Sequence, residues 1–396
     1  MALATTQQKL FCSKGLCMKE INMKIKIDTM GLLNAVNFIS INEHGYDQTT
    51  FFIDQAYVMV TPGQCVLMRY GLNIEKQSMI VGCDSTESLT FQVNYEAFKG
   101  IVHNIAKRFS ELELCLDKKN TLTISAGRLK TELKLTQLTP STNELDPEAE
   151  MNEMSIKVKD FERILRISKA AAAKGDIRYY LNGVCLNSDE TGVLRSIGTD
   201  GHRLSISKCS YRALRYEQHQ IILSNDAVSY IEGILKLSPD EDVCLKFSRT
   251  SIRIKLSTGA YLNSKVIDAS YPDWRRVVPM STKSNVTFRK DELMESLKSA
   301  MPMTNPKFRG GKLSFKNNTC GISASNDLGS YEDEIEVAGN NIANIDIGFN
   351  LEYLVSALNA MVGPSVVLGF NDGGTAATII EAENPSGVQV VMPVRI

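Results

Sequence analysis

The sequence predicts an α+β fold made of three copies of one unit, in which two helices pack on antiparallel sheets. Three observations predict it: the length of the chain, a helix start that recurs at a constant interval, and alternating strand patterns between the helices. The chain has 396 residues, of which 43% are apolar. This is more than one compact core usually holds, so two or three domains are expected.

The recurring helix start is the most informative feature of the sequence. Asn94, Ser224 and Asn350 each follow a strand-like run and precede a segment with helical apolar spacing, at intervals of about 130 residues. Each is a good N-cap, because its side-chain oxygen can accept a hydrogen bond from an otherwise unpaired helix N–H group. The pattern predicts one helix of this kind in each of three repeats.

A second, earlier helix recurs at the same interval. It is predicted to start near Thr29, Val158 and Arg289. In each copy, apolar residues at helical spacing are expected to face the sheet. These residues are Leu32, Val36 and Ile39 in the first copy, Phe161, Ile164 and Leu165 in the second, and Leu293, Leu297 and Ala300 in the third.

Between and after the helices, β-branched residues alternate with polar ones, and turn residues separate the runs. Residues 121–124, 251–256 and 377–380 are examples. Acidic residues without periodicity at 143–152, and the polar run 281–284, are expected to be linkers. The predicted organisation is an N-terminal extension (1–22) and three domains, at 23–148, 149–280 and 285–396.

Composition limits the function. The net charge is −1 at pH 7, whereas a protein that grips DNA by charge alone is usually clearly basic. The nine cysteines form no C-x-x-C pair, so free buried thiols are expected. The four histidines are scattered, so we expect no metal site, and no cofactor is predicted. No apolar run is long enough to span a membrane, and no signal peptide is recognisable, so a cytoplasmic protein is expected.

A basic stripe lies on the predicted helix that starts at Val158. Lys159, Arg163 and Arg166 fall within about 60° of one another on a helical wheel, opposite the apolar face. Such a stripe is either a solvated helix face or a surface that meets phosphates, and the sequence favours neither.

Several longer motifs, taken in order, resemble the bacterial DNA polymerase III beta subunit, the beta sliding clamp family. They are RYYLNG at 178–183, TDGHRL at 199–204, YPDWRRVVP at 271–279, KFRG at 307–310, IGFN at 347–350 and VVMPVRI at 390–396. The resemblance extends over residues 23–396, although the first repeat matches mainly in its pattern.

This resemblance implies a non-catalytic processivity factor. Two chains would form a head-to-tail homodimer, a six-domain ring that encircles duplex DNA without regard to its sequence. The ring would tether the DNA polymerase III catalytic subunit, the clamp loader complex, and other polymerases and repair proteins. A closed ring needs no tight grip on phosphate, which is consistent with the near-neutral charge.

The resemblance also implies a cleft for partner peptides that contain Gln and Leu, between the second and third domains. Carried over position by position, its residues are Leu181, Thr199, Gly201, His202, Arg203, Leu204, Pro272, Arg276, Val277, Val390, Met392, Pro393, Val394 and Arg395. The floor is expected to be Leu204, Val277, Val390 and Met392, with Arg203 and Arg276 at the rim. Ala376 and Val394 depart from the residues usual in the family. These departures leave open which partner motif the cleft prefers, but they do not affect the expectation of a cleft.

Two further surfaces follow from the same resemblance. The DNA-facing residues are predicted to be Lys159, Arg163, Arg166, Lys174, Arg178, Tyr179 and Tyr180. If 179–180 is part of a strand, one tyrosine is buried and the other exposed. The dimer interface is predicted to pair Leu133 and Leu135, on an edge strand of the first domain, with Pro302 and Met303 of the third.

Two other functional classes remain open at this point. Asp200 and His202 could form an acid–base pair of a DNA-modifying enzyme, although Asp-Gly is a common signal for a hairpin turn and no catalytic motif accompanies it. A peptide-binding scaffold unrelated to DNA is the other class. Metal-dependent activity and retention on circular DNA would distinguish these classes.

Overall fold

The computed structural model describes residues 23–40, 54–71, 73–79, 81–117, 120–135, 152–213, 216–238, 241–340 and 342–395. The predicted extension (1–22) and nearly all of the linker at 143–152 lie outside these residues. The chain divides into two compact units, one with residues 1–72 and 76–143, the other with 73–75 and 144–396. Within the described ranges, no helix is long and apolar enough to cross a membrane.

The described residues contain two α-helices in each predicted repeat, and every predicted start agrees with the structure to within one residue. The helices are α1 (Thr29–Ile39), α2 (Tyr95–Ala106), α3 (Val158–Lys169), α4 (Asn225–Leu235), α5 (Lys290–Ala300) and α6 (Leu351–Asn359). All the side chains predicted to face inward on α1, α3 and α5 are buried. The apolar stripe of each helix packs on a sheet, which is why the helical spacing was a reliable signal.

The three predicted N-caps are confirmed. Asn94 Oδ1 accepts a hydrogen bond from the Ala97 N–H at 3.0 Å, and Ser224 Oγ accepts one from the Ala227 N–H at 3.1 Å. Asn350 Oδ1 accepts one from the Glu352 N–H at 3.0 Å. Each cap is worth about 1 kcal/mol of stability.

The first unit contains an antiparallel sheet in the order β6-β2-β3-β5-β1-β7-β8-β9. Its strands are β1 (Met23–Asp28), β2 (Gln55–Thr61), β3 (Gln64–Tyr70), β5 (Val81–Asp84), β6 (Leu89–Asn94), β7 (Glu111–Leu116), β8 (Thr121–Ala126) and β9 (Leu129–Lys134), and β4 (Ile74–Gln77) spans the boundary of the unit. Phe38 of α1 and Phe98 of α2 are fully buried in the core. Strand β9 pairs with β8 alone among the described strands, so it is an edge.

The second unit contains the second and third predicted repeats. The strands of the second repeat are β10 (Asn152–Lys157), β11 (Gly183–Ser188), β12 (Val193–Thr199), β13 (Arg203–Ser210), β14 (Arg212–Ala213), β15 (His219–Ser224), β16 (Asp242–Phe247), β17 (Ser251–Lys255) and β18 (Tyr261–Lys265). Helix α3 lies so close to β12 that a Cβ at Gly198 would be 2.0 Å from the Ser168 carbonyl oxygen. Only glycine fits there.

The third repeat has strands β19 (Ser284–Arg289), β20 (Gly310–Lys316), β21 (Thr319–Asn326), β22 (Gly329–Glu336), β23 (Ala338–Asn340), β24 (Ile345–Asn350), β25 (Ser365–Phe370), β26 (Ala377–Glu381) and β27 (Gly387–Val391). One sheet has the order β22-β21-β20-β24. Its Phe315 packs on Phe370 of the other sheet, with ring centroids 4.6 Å apart. Helices α5 and α6 contribute Leu297 and Leu358 to the same core.

The second and third repeats share one sheet. Its order is β15-β11-β12-β13-β27-β26-β25-β19-β23, and the junction is the antiparallel pair β13–β27. This ladder explains why the two repeats form one compact unit. The predicted limits of the three domains remain a prediction.

The cysteines of the described residues are all free thiols, of which Cys65, Cys185, Cys209 and Cys320 are buried as predicted, whereas Cys83, Cys115 and Cys244 are half-buried. Burial raises the pKa of the Cys65, Cys185 and Cys320 thiols to about 12, so they remain protonated at neutral pH. The two cysteines at positions 12 and 17 lie outside the described residues.

Candidate functional site

A tight hairpin turn between β12 and β13 forms one side of the candidate site. Gly201 has φ +91°, a conformation that favours glycine. The Asp200 carboxylate accepts hydrogen bonds from the His202 N–H at 2.9 Å and the Arg203 N–H at 3.1 Å. Thr199 Oγ1 donates to the Arg203 carbonyl oxygen at 2.6 Å. The run 199–203 is therefore the predicted hairpin turn, and its carboxylate serves the turn rather than an acid–base pair.

Strand pairing brings the C-terminal residues beside this hairpin. In the β13–β27 ladder, Arg203 is opposite Val391 and Leu204 is opposite Val390. Beyond β27, the Met392 N–H donates to the His202 carbonyl oxygen at 3.1 Å. The predicted cleft residues from the two repeats are thus adjacent, although almost 200 positions separate them in the chain.

An apolar cluster lies under this junction. Leu181, Leu204 and Val390 are 2%, 3% and 2% exposed, and they pack with Tyr271 and Ile197. Trp274, Val278 and Ala376 pack partly against the same cluster. These side chains form one buried apolar cluster at the place where the cleft floor is predicted.

Two residues predicted for the floor are half-exposed. Val277 and Met392 are 50% and 42% exposed. Val277 follows a short 3-10 helix (Trp274–Arg276), and Val278, the next residue, is the one that packs on the cluster. Val278 is thus packed on the cluster while Val277 stays accessible at the surface, and the place of Val277 in the cleft stays a prediction.

The rim carries arginines held by acidic neighbours. Arg203 Nε donates to Asp200 Oδ2 at 2.9 Å, and its guanidinium lies 4.4 Å from the centroid of the Tyr353 ring. Arg276 Nε lies 3.3 Å from Asp273 Oδ2, with 84% of its side chain exposed. Arg203 is therefore oriented by both repeats, whereas Arg276 remains extended into solvent.

The other predicted cleft residues surround these groups at the surface. Gly201, His202, Pro272 and Arg395 are exposed, and Thr199, Pro393 and Val394 are half-buried. Sequence reasoning missed Tyr353, which lies on the first turn of α6, and it missed Val278. The N-cap at Asn350 located the helix, but nothing local showed that its third residue meets Arg203.

The basic stripe on α3 is divided in the structure. Lys159 is exposed. Arg163 Nη1 donates to Ser386 Oγ at 2.5 Å and Nη2 to the Lys208 carbonyl oxygen at 2.9 Å, and Arg166 Nη1 donates to the Ala360 carbonyl oxygen. Both arginines are thus engaged by the third repeat or the junction. The stripe is therefore not a uniformly solvated face, because its arginines have intramolecular acceptors, and the placing of these residues toward DNA stays a prediction.

The segment 174–180 exposes basic and aromatic groups. Arg178 Nη2 donates to Asp176 Oδ2 at 2.7 Å and Nε to Oδ1 at 3.1 Å. This pair holds the pKa of Asp176 at about 2, so the carboxylate is charged at neutral pH. Lys174 is exposed.

Residues 179–181 form a 3-10 helix and not the strand assumed for the two tyrosines. Tyr179 is nevertheless 58% exposed, and Tyr180 is half-buried against the apolar cluster. Tyr179 and Tyr180 thus face different sides of a 3-10 turn, which has three residues per turn, and not the two faces of a strand.

The residues predicted for the dimer interface lie at sheet edges. Leu133, on the edge strand β9, and the following Leu135 are half-buried. Pro302 and Met303 belong to a 3-10 helix (Met301–Met303), beside the loop that leads into the edge strand β22. Asn326 Nδ2 donates to the Pro302 carbonyl oxygen at 3.0 Å.

Comparison with known proteins identifies the family. The models of the DNA polymerase III beta subunit match here, the central domain over residues 155–273 and the C-terminal domain over residues 275–395. The beta sliding clamp of Vibrio cholerae is 28% identical over 273 residues, 69% of this chain and 73% of that protein. The beta sliding clamp of Haemophilus influenzae is 27% identical over 325 residues, 82% of this chain and 87% of that protein.

Solved structures agree with these matches. A crystal structure of the DNA polymerase III subunit beta from Pseudomonas aeruginosa has a TM-score of 0.84 and 25% identity, covering 94% of this chain and 100% of that one. The two alternative classes, a DNA-modifying enzyme and an unrelated peptide scaffold, are therefore set aside. The chain belongs to the DNA polymerase III beta subunit family, the non-catalytic beta sliding clamps of DNA replication.

Proposed function

We propose that two copies of this chain close head to tail into a ring around duplex DNA in the cytoplasm. The ring tethers the DNA polymerase III catalytic subunit through the cleft at the β13–β27 junction, and it makes the polymerase processive. The same cleft receives the clamp loader and other polymerases and repair proteins. The observation that carries this proposal is the apolar cluster of Leu181, Leu204 and Val390 beside the exposed Met392.

The chemistry of the cleft suits a short peptide with large apolar side chains. Such side chains bury their surface against the cluster, and buried anchors dominate the affinity of interfaces of this type. The half-exposed Val277 and Met392 would then be covered by the peptide. Arg203 and Arg276 supply hydrogen-bond donors at the rim for its polar groups.

The two sheet edges support the head-to-tail dimer. Strand β9 exposes Lys130, which pairs with Glu132 at 3.0 Å, and Lys134, so its exposed side chains carry a net charge of +1. Strand β22 exposes Glu332, Glu334 and Glu336. A basic edge and an acidic edge attract each other, and pairing would satisfy the free backbone groups of both strands.

Closure of the ring, rather than charge, is proposed to retain the protein on DNA. The net charge is −1, and two of the four basic side chains of α3, Arg163 and Arg166, are engaged inside the second unit. Few cations therefore remain on this helix to grip phosphates. A topological link needs only weak contacts, and it leaves the ring free to slide.

The first prediction tests this mode of retention. Protein loaded on closed circular duplex DNA should resist salt that removes ordinary phosphate-bound proteins, and it should dissociate once the circle is cut. Binding through phosphates alone weakens steeply with salt on both substrates, because released counterions set the slope. Retention after gel filtration at low and high salt is the measurement. Equal salt sensitivity on circular and linear DNA would exclude the ring.

A second prediction concerns the exposed segment 174–180, where Asp176 neutralises Arg178. Replacement of Asp176 by Ala should release Arg178 to phosphate and increase the slope of log Kd against log salt on linear duplex by about 1. Glu190→Ala, an equal charge change at another exposed position of the second repeat, should leave the slope unchanged. Equal slopes for the two variants would mean that Arg178 does not meet DNA.

A further inference from the structure

The strand pair β13–β27 is apolar on one face and polar on the other. Leu204 is opposite Val390, and Ile206 is opposite Val388, and all four belong to or pack against the apolar cluster of the cleft. The alternate residues, which point to the other face of the sheet, are Ser205 and Ser207 on β13 and Gly387 and Gln389 on β27. That second face lies under α3, since a Cβ at Gly387 would be 3.0 Å from Ile167 Cδ1.

Gln389 is a buried polar side chain in the middle of an apolar strand. It is 3% exposed, and Ser205, directly opposite, is fully buried. Ser205 Oγ donates to Gln389 Oε1, and Gln389 Nε2 donates to the Ile167 carbonyl oxygen at 3.4 Å. A buried amide without partners is costly, so this side chain favours the one register in which both contacts form.

Arg163 holds the other end of the same strand pair. Its Nη1 donates to Ser386 Oγ at 2.5 Å and to Ser207 Oγ at 3.2 Å, and its Nη2 donates to the Lys208 carbonyl oxygen at 2.9 Å. One planar guanidinium therefore joins β13 to the residue that precedes β27. The five N–H donors of a guanidinium have a fixed geometry. These contacts therefore set the position of β27 along β13 and do not only hold the two strands close together.

We propose that Arg163 and Gln389 are positioning residues of the peptide cleft, an inference that rests on the proposed function. They lock β27 in register on β13 from the face opposite the cleft. A slip of one residue would turn Gln389 toward the cleft and Val390 toward α3, since successive side chains of a strand point to opposite faces. The lock thus keeps Val390, and Met392 after it, in place for a partner peptide.

The test compares variants of the full-length chain in their affinity for a labelled synthetic peptide that carries one Gln and two Leu residues. Two variants alter the contacts that hold β27 on β13 and are called the seam variants. They are Arg163→Met and the double variant Ser205→Ala with Gln389→Leu, which removes both polar partners at once. Arg163→Lys is the conservative variant. Arg195→Met is the matched control, because Arg195 pairs with Asp189 within the second repeat, at 2.5 Å. Melting temperature, dimer mass and amide exchange along β27 are recorded for each.

Both seam variants should bind the peptide about tenfold more weakly, within the range of couplings measured inside one hydrogen-bond network. They should remain dimeric and exchange the amides of β27 faster. Arg195→Met should bind like the wild type, even where its melting temperature falls as far. Arg163→Lys should recover part of the affinity, because its ammonium can still donate to Ser386 or Ser207.

Seam variants that bind as tightly as the wild type would overturn the inference, and so would a loss no greater than that of Arg195→Met at equal stability. If Arg163→Met does not fold, the double variant and Arg163→Lys decide by the same comparison. A wild-type chain that binds no peptide would overturn the cleft itself. That failure is distinct, because it is visible before any variant is measured.

Discussion

Removal of residues 392–396 is expected to abolish peptide binding and polymerase stimulation together, while the protein stays dimeric. Strand β27 ends at Val391, so the sheet keeps its last ladder pair, Arg203 with Val391. What is lost is Met392, whose N–H donates to the His202 carbonyl oxygen, and Val394, whose N–H donates to the Gly348 carbonyl oxygen at 2.9 Å. These residues are proposed to form one wall of the cleft. Affinity should fall on the order of 30-fold or more, as for the loss of a buried anchor.

Titration of the labelled peptide against the truncated chain, with its melting curve, measures this effect. Leu237→Ala is the control, since Leu237 is 50% exposed, two residues beyond the end of α4, and is not among the predicted cleft residues. The alternative is that the tail only completes the sheet. In that case the melting temperature falls and the folded remainder binds peptide normally, which would remove the tail from the cleft.

Replacement of Leu133 and Leu135 by Lys should convert the dimer into a folded monomer that is not retained on circular DNA. Both side chains are half-buried at the edge of the first repeat, next to the exposed Lys130 and Lys134. The interface would lose two apolar side chains and would have to desolvate two more charges, which costs several kcal/mol even beside the acidic edge of β22. Because the chain alone still buries its own core, folding should persist.

Sedimentation equilibrium gives the mass of this double variant, and circular dichroism gives its fold. The same substitution at Leu237, which is also partly exposed, should leave the dimer intact. A double variant that sediments with the mass of two chains would show that the interface lies elsewhere. If the double variant is monomeric but still stays on circular DNA, closure of the dimer is not what retains the protein.

Local patterns predicted the repeated framework. The N-caps at Asn94, Ser224 and Asn350, and the buried faces of α1, α3 and α5, depend on side chains within one or two helical turns, so they can be read from spacing. The hairpin at Asp200–Gly201 is equally local. The cleft residues came from resemblance, because no spacing indicates that Leu204 and Val390 are neighbours.

The sequence by itself determined the three repeats, their helices, the hairpin turn and the free thiols. The tertiary structure alone decided which partners the polar side chains find. Arg163 and Arg166 looked like a basic stripe, but their acceptors Ser386 and Ala360 lie 223 and 194 residues away in the chain. Arg203 meets the ring of Tyr353 in the same way. These contacts follow from the pairing of β13 with β27, and a ladder between distant strands leaves no periodic trace in either segment, since each strand alternates equally well with any partner.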